Sequence, residues 1–386
     1  MKANPRKRPL PLGIGRCIDG IKKQDQRGLL YFMDCRADYY KLEKYVDLIA
    51  TPGCSSFLAK SGSSFLLGRN YDFCHYKFNE KTLPKDSTGL IIVIKASNPK
   101  AKYKSLGIAD GFWLDFDKGR YFEGAPSDGK TDMTRLGMAP FVIMDGVNEA
   151  GLAASIMHLP TENEWTEIEY RSPDSLDEKE KATAIIYDRP GFRPQRLDSK
   201  VKNGALAINT ADRLCWRANK NFAVCQNEPG KKSIFHPVLM RKMLDFCADV
   251  GEAVELAKAF NVRSPLPDND YHIMLCDSSG SSVMLEWVNN ELRVVPADHG
   301  TNFYLSRPDH YGYGYDRDGI LNAALLSSPE GMNPARVMQT LEAAAQNPFK
   351  NPEAALTQWS AVYDLEKKSL LLSVFLDYEN LYSFEL

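Results

Sequence analysis

The chain has 386 residues, 44% hydrophobic and 25% charged, the balance of an ordinary soluble globular protein of one large domain or two smaller ones. A net charge of −2 gives no electrostatic reason to expect nucleic acid or an anionic membrane as partner. No window approaches ~18 uninterrupted apolar residues, which argues against a transmembrane helix.

The elements follow in chain order. The opening "MKANPRKRPLPLGIGR" is basic with no long apolar stretch behind it, so it reads as a flexible arm rather than a signal peptide. The expected address is the cytoplasm. Residues 30–50 mix aromatic and charged side chains and read as a short helix leading into Thr51-Pro52-Gly53. "CSSFLA" and "SFLLGRNYDF" are apolar runs divided by Lys60-Ser61-Gly62-Ser63, a hairpin signal. "GLIIVIKA" (89–96) is a buried strand, and 141–160 reads as two strands around a turn at Asp145-Gly146-Val147-Asn148. Residues 160–235 are polar and proline-bearing, an insertion or lid. Apolar spacing of three and four predicts helices over 236–262, and 271–306 is a strand meander turning at Ser278-Ser279-Gly280 and Asn289-Asn290. Asn333-Pro334 is an N-cap with proline at the first helical position, and the tail is two or three more strands. Strand and helix signals come in blocks, which predicts an α+β domain of antiparallel sheets covered by helices. No repeat of 20–50 residues occurs.

Eight cysteines (Cys17, Cys35, Cys54, Cys74, Cys215, Cys225, Cys247, Cys276) are too few and too scattered for a disulfide scaffold. There is no CxxC pair, and the six histidines form neither HExxH nor HxxxH, so a zinc site is unsupported. Cys247 and Cys276 read as buried small hydrophobes.

Cys54 differs by context. With Ser61-Gly62 as the hairpin loop, Cys54 lies directly across from Arg69, with Cβ atoms about 4.5–5.5 Å apart. A guanidinium there favours the thiolate. The alternative is an ordinary hairpin whose Arg69 and Asp72 form a surface ion pair. A cysteine nucleophile needs a base, and no histidine stands out. The α-amine of the cysteine itself, with an ordinary pKa of about 7.7–8.0, would serve if the Gly53–Cys54 bond were cut. Gly53 suits that cut because its carbonyl is unhindered and its backbone permissive.

The segments "CSSF…GRNYDF", "MDGVNEAGLA", "YHIMLCDSSGSSVMLEW…HGTNFY", "YGYDRDG" and "TQWSAVYDLEKKSLLL" resemble, in order, those of the choloylglycine hydrolase and penicillin V acylase family of N-terminal-nucleophile amidases. Acid ceramidase and the isopenicillin acyltransferases are its wider relatives. The resemblance covers roughly 54–386 except 160–235. It implies a four-layer αββα sandwich of two antiparallel sheets, preceded by a propeptide or arm over 1–53. It further implies hydrolysis of a linear amide C–N bond of a small N-acyl amide through a Cys54 thioester, after autoproteolysis at Gly53–Cys54. No cofactor or metal is expected. Relatives are commonly tetramers, so a homo-oligomer is expected. An acyltransferase on the same scaffold, or a silent binding protein that is never cut, are the alternatives.

By the same resemblance, Cys54 is the nucleophile and Arg69 and Asp72 orient and charge it. Asn148 and Asn302 donate to the oxyanion, and Arg317 is the late arginine near the nucleophile. Taken without the family, Asn148 and Asn302 read as residues that each merely make a turn. The aromatics Phe112, Trp113 and Phe122 are candidates for an acyl pocket, with core packing as the alternative.

Overall fold

The computed structural model describes residues 21–45, 53–73, 90–114, 133–160, 185–187, 206–209, 214–217, 228–263, 269–288, 291–351 and 354–386. Its first strands are β1 (Ile21–Lys23), β2 (Leu30–Cys35), β3 (Gly53–Ser61), β4 (Ser64–Asp72), β5 (Ile91–Ala96), β6 (Ser105–Asp110), β7 (Ile143–Asn148) and β8 (Ala153–Pro160). Helices α1 (His236–Phe246) and α2 (Val250–Lys258) come next. They are followed by β9 (Asn269–Cys276), β10 (Ser282–Val288), β11 (Glu291–Pro296), β12 (His299–Gly300), β13 (Asn302–Phe303) and β14 (Gly312–Tyr313). Helices α3 (Tyr315–Leu326) and α4 (Pro334–Ala343) precede the closing strands β15 (Thr357–Asp364), β16 (Ser369–Val374) and β17 (Asp377–Glu385).

Two sheets dominate. The larger runs β1-β2-β5-β6-β7-β8-β9-β10-β11, and the smaller β12-β3-β4-β15-β16-β17. Every pairing in them is antiparallel except β2 with β5. Helices α1 and α2 pack on the larger sheet, α3 and α4 on the smaller, and β3 packs on β8 between the sheets. The layer order is therefore αββα, as the resemblance implied.

The period of two along a strand builds this arrangement. Cys54, Leu58, Leu67, Tyr71, Trp359, Ala361 and Tyr363 point into the core between the sheets. Their neighbours Phe57, Ala59, Leu66 and Val362 point the other way, into a second core with Leu321, Val337, Met338 and Leu341 of the helices. Such strands carry apolar residues on both faces because both faces are covered. Helix α4 starts where expected: the Asn333 side chain accepts from the Arg336 N–H at 2.9 Å, with proline in the first turn.

Three expectations are corrected. Residues 30–35 form strand β2, not helix, and only 39–45 turn, as a 3-10 segment. Leu30, Met33, Cys35, Tyr39 and Leu42 are buried in the main core, so this part of the expected arm is built into the domain. The aromatic–charge mixture arises because β2, pairing with β5, mixes buried Leu30, Met33 and Cys35 with partly open Tyr31, Phe32 and Asp34. In the β3–β4 hairpin the loop is Gly62-Ser63, with Gly62 at φ +64, and Ser61 pairs with Ser64. Cys54 thus opposes Tyr71, and Arg69 opposes Ser56. The slip is two residues, so Arg69 stays on the face of Cys54; a slip of one would have removed it. Lastly, β7 runs through Asn148, and the turn follows at 149–152.

Within the expected 160–235 insertion, Ile185–Tyr187, Leu206–Asn209 and Leu214–Arg217 form a small separate sheet, and Lys232–Phe235 pairs in parallel with Phe260–Arg263. Most of that insertion, Phe122 and the Asn289-Asn290 turn lie outside the described residues. Among the described residues no helix is long and apolar enough to cross a membrane.

Candidate active site

Cys54 is the second residue of β3, fully buried between the sheets. Its Sγ accepts a hydrogen bond from Arg69 Nη2 at 2.9 Å. Its backbone N–H donates to Asn302 Oδ1 at 2.9 Å, and its carbonyl accepts from Arg317 Nη1 at 2.6 Å. Three side chains thus grip three different atoms of one residue.

Each gripping residue is itself held. Arg69 Nη2 also donates to the Ile156 carbonyl on the facing sheet, and Nη1 to the Asn70 carbonyl, both at 2.7 Å. Its Nε lies 3.6 Å from Asp145 Oδ2, with both side chains fully buried. Asp145 in turn accepts from Trp359 Nε1 at 2.9 Å and from the Tyr363 hydroxyl. Arg317 reaches in from the first turn of α3. Besides Cys54 it donates to Ser55 Oγ (3.0 Å), Asp72 Oδ2 (3.3 Å) and Asn302 Oδ1 (2.7 Å). Gly314 caps that helix at φ +88, and a Cβ there would sit 2.4 Å from Arg317 Nη2. Only glycine leaves the guanidinium its place. Asp72, across from Thr357 in the β4–β15 register, accepts from its Oγ1 at 2.5 Å.

Two arginines and two carboxylates share this buried volume, so the charges offset one another; a single one left unpaired would be costly. Burial pushes the Cys54 thiol up from the ordinary cysteine range. The Arg69 charge and hydrogen bond and the Asp72 backbone N–H pull it down, and the Asp72 carboxylate adds to the rise. Burial wins, so the expected net lowering by Arg69 is reversed. Burial likewise raises Asp72 against Arg317 and Thr357, and Asp145 against Arg69.

Cys54, Arg69, Asp72, Asn302 and Arg317 come together, with Gly53 opposite Asp72. Asn148 does not join them. It stands three residues from Asp145 along β7, about 10 Å at ~3.3 Å per residue. Its Nδ2 donates to the Leu244 and Cys247 carbonyls, and its Oδ1 accepts from the Ala150 and Leu152 amides. Every hydrogen-bonding position of that side chain is taken by the turn and the end of α1, so it has no donor for an oxyanion. Asn302 faces Cys54 directly. Arg317 can only donate, which fixes the facing atom as Oδ1. Asn302 Nδ2 donates one of its two protons to the His158 carbonyl at 2.7 Å. The residue is thus an acceptor for the Cys54 N–H.

Asp145, Thr357 and Tyr313 went unread in the sequence. The first two stood inside "MDGVNEAGLA" and "TQWSAVYDLEKKSLLL", but nothing in a linear string says which residue of a segment reaches across a sheet. Tyr313, 38% exposed, bonds through its hydroxyl to His158 Nδ1 at 2.9 Å, beside the strand that carries Asn302. Trp113 is core: its Nε1 donates to the Tyr71 hydroxyl at 2.8 Å and its ring lies 5.0 Å from Phe73. The Phe112 side chain lies outside the described residues. Cys247 and Cys276 are buried free thiols, and burial pushes Cys247 up to about 12. Among the described residues no three His, Cys, Asp or Glu side chains gather as metal ligands would.

The class these features define is an αββα sandwich with a buried cysteine at the head of an inner strand. No protein-family profile matches the chain, and no curated protein sequence matches it. Solved structures do. Two variants of the conjugated bile acid hydrolase from Clostridium perfringens share 15% and 14% sequence identity with it. Each alignment covers 86% of this chain and 92% of the other, at a TM-score of 0.48. Penicillin V acylase from Agrobacterium tumefaciens is 13% identical, with 86% of each chain covered and a TM-score of 0.45.

Proposed function

We propose that this protein is an amidase of the N-terminal-nucleophile type, acting on linear C–N bonds of small N-acyl amides. The observation that carries the reading is the grip on the Cys54 backbone nitrogen. A buried asparagine oxygen is spent on an ordinary strand N–H, 2.9 Å away, and is braced by Arg317. That expense has a purpose if the nitrogen becomes a free amine.

Self-cutting starts with attack of Cys54 Sγ on the Gly53 carbonyl carbon. The Gly53–Cys54 C–N bond breaks, the nitrogen takes a proton, and water opens the resulting thioester to leave a Gly53 carboxylate. Asn302 Oδ1 then holds the new amine beside its own thiol. In turnover the amine takes the thiol proton while Arg69 stabilises the thiolate. Sulfur attacks the substrate acyl carbon, the ammonium returns its proton to the departing amine, and water hydrolyses the thioester. Because β1 and β2 belong to the larger sheet, the two fragments are expected to co-purify as one particle.

Intact-mass measurement on the purified protein tests this. The expected result is a fragment beginning at Cys54 together with amidase activity, both lost in Cys54→Ala. Undiminished amide hydrolysis by uncut Cys54→Ala protein would falsify the reading.

A further inference from the structure

The segment "YHIMLCDSSGSSVMLEW" holds two buried ionisable groups that the catalytic reading leaves unused. His272 on β9 and Glu286 on β10 are both fully buried and lie next to each other across the strand pair, with Nδ1 3.2 Å from Oε1. Both turn toward the stretch that carries Asn302. His272 Nε2 is 2.8 Å from the Thr301 carbonyl. Glu286 Oε1 and Oε2 accept from the Leu305 and Ser306 amides, each at 2.8 Å. The pair thus holds 301–306 at both ends, and Asn302 lies between the two points of attachment. Thr301 Oγ1 donates to the Gly314 carbonyl at 3.1 Å, which links the same stretch to the cap of the helix bearing Arg317.

Both ring nitrogens of His272 face oxygen acceptors, so the arrangement is complete only with a proton on each. Burial pushes the Glu286 carboxyl up, and the His272 hydrogen bond and charge, with the Leu305 amide, hold it low. Other ionisable groups nearby are Asp270 on β9 and Tyr304, whose hydroxyl donates to Asp270 at 2.7 Å. A buried ion pair adds little net stability over well-packed apolar residues. What this one supplies is direction.

We propose that His272 and Glu286 are positioning residues that set Asn302 against the Cys54 nitrogen. This rests on the reading of Cys54 as an N-terminal nucleophile. Neither side chain touches the reacting atoms. They act through the backbone of 301–306, as outer-shell carboxylate–histidine pairs orient the groups in front of them.

The test compares His272→Gln and Glu286→Gln with the unaltered full chain. It follows the rate of Gly53–Cys54 cutting and, on the cut protein, steady-state hydrolysis of N-hexanoyl-p-nitroaniline. The expected result is cutting and kcat reduced about tenfold or more with KM within about twofold. The acid limb of the kcat–pH profile, which reports the Cys54 amine, should also move to lower pH as that amine loses its acceptor. Cutting, kcat and acid limb all as in the unaltered protein would overturn the proposal. Should the variants not fold, nitrogen-15 spectra of the unaltered protein decide. Two protonated ring nitrogens on His272 and slowly exchanging Leu305 and Ser306 amides support the clamp, and a neutral ring or fast-exchanging amides refute it. An unaltered chain that is never cut and hydrolyses no amide defeats the parent reading instead, while the spectra still judge the clamp.

Discussion

Two asparagines in comparable motifs end up with opposite work. Asn302 and Asn148 are both fully buried, and in both the side-chain oxygen accepts two hydrogen bonds. Asn302 spends its oxygen on the backbone of Cys54 and on Arg317. Asn148 spends everything on closing the β7–β8 turn and tying it to the end of α1. The residue of that second motif which does approach Cys54 is Asp145, through Arg69. Residue type and motif membership left both roles open to both asparagines. Position relative to the β3–β4 hairpin separated them.

The comparison can be broken most directly by removing each side chain. Asn302→Ala should slow Gly53–Cys54 cutting about a hundredfold with a modest change in melting temperature, because the reacting residue loses its positioning contact. Asn148→Ala should leave the cutting rate of the folded fraction within a few-fold. It should lower stability by about 2–3 kcal/mol, because two carbonyls and two amides lose their partner. Time-resolved mass spectrometry and thermal unfolding read both, and a reversal of the pattern would return the oxyanion role to Asn148.

A smaller effect sharpens the side of the molecule that holds the thiol. Arg69 is the principal group pulling the Cys54 thiol down against burial. Arg69→Gln should therefore push the thiol further up, moving the midpoint of its alkylation rate to higher pH. The pH dependence of iodoacetamide labelling measures it, and a midpoint moved to lower pH would mean that the guanidinium is not the stabilising neighbour.

A further effect lies outside the cluster. Burial holds the Asp270 carboxyl up at about 8 against hydrogen bonds from Tyr304 and the Tyr271 amide. Its folded value exceeds the unfolded one, near ~3.9, so between those values the unfolded chain binds fewer protons and stability falls as pH rises. Melting temperature should decline from pH 5 to pH 8 in the unaltered protein, and Asp270→Asn should flatten that decline. An unchanged slope would remove Asp270 as its cause.

Most of the architecture was legible locally. Runs of alternating and continuous apolar residues marked strands β3, β4, β5 and β7 to β10, and the Asn333-Pro334 pair marked the start of α4. Strand β2 reads as helix in the sequence because its burial does not alternate, with Tyr31 and Phe32 both partly open. The hairpin register was off by two residues because Lys60-Ser61-Gly62-Ser63 allows more than one loop, and Gly62 at the first loop position decides it.

The amino-acid sequence by itself determined the covered, two-faced strands, the singular context of Cys54 and the set of polar residues available to it. Those are properties of period and composition, which a chain carries wherever it goes. Tertiary structure alone decided that Asn302 and Arg317 grip Cys54, that Asp145 backs Arg69, and that Asn148 does neither. Hydrogen bonds reach about 3 Å and form between residues some 250 positions apart, as Cys54 and Asn302 are. Only strand register and sheet packing can bring such partners within that range.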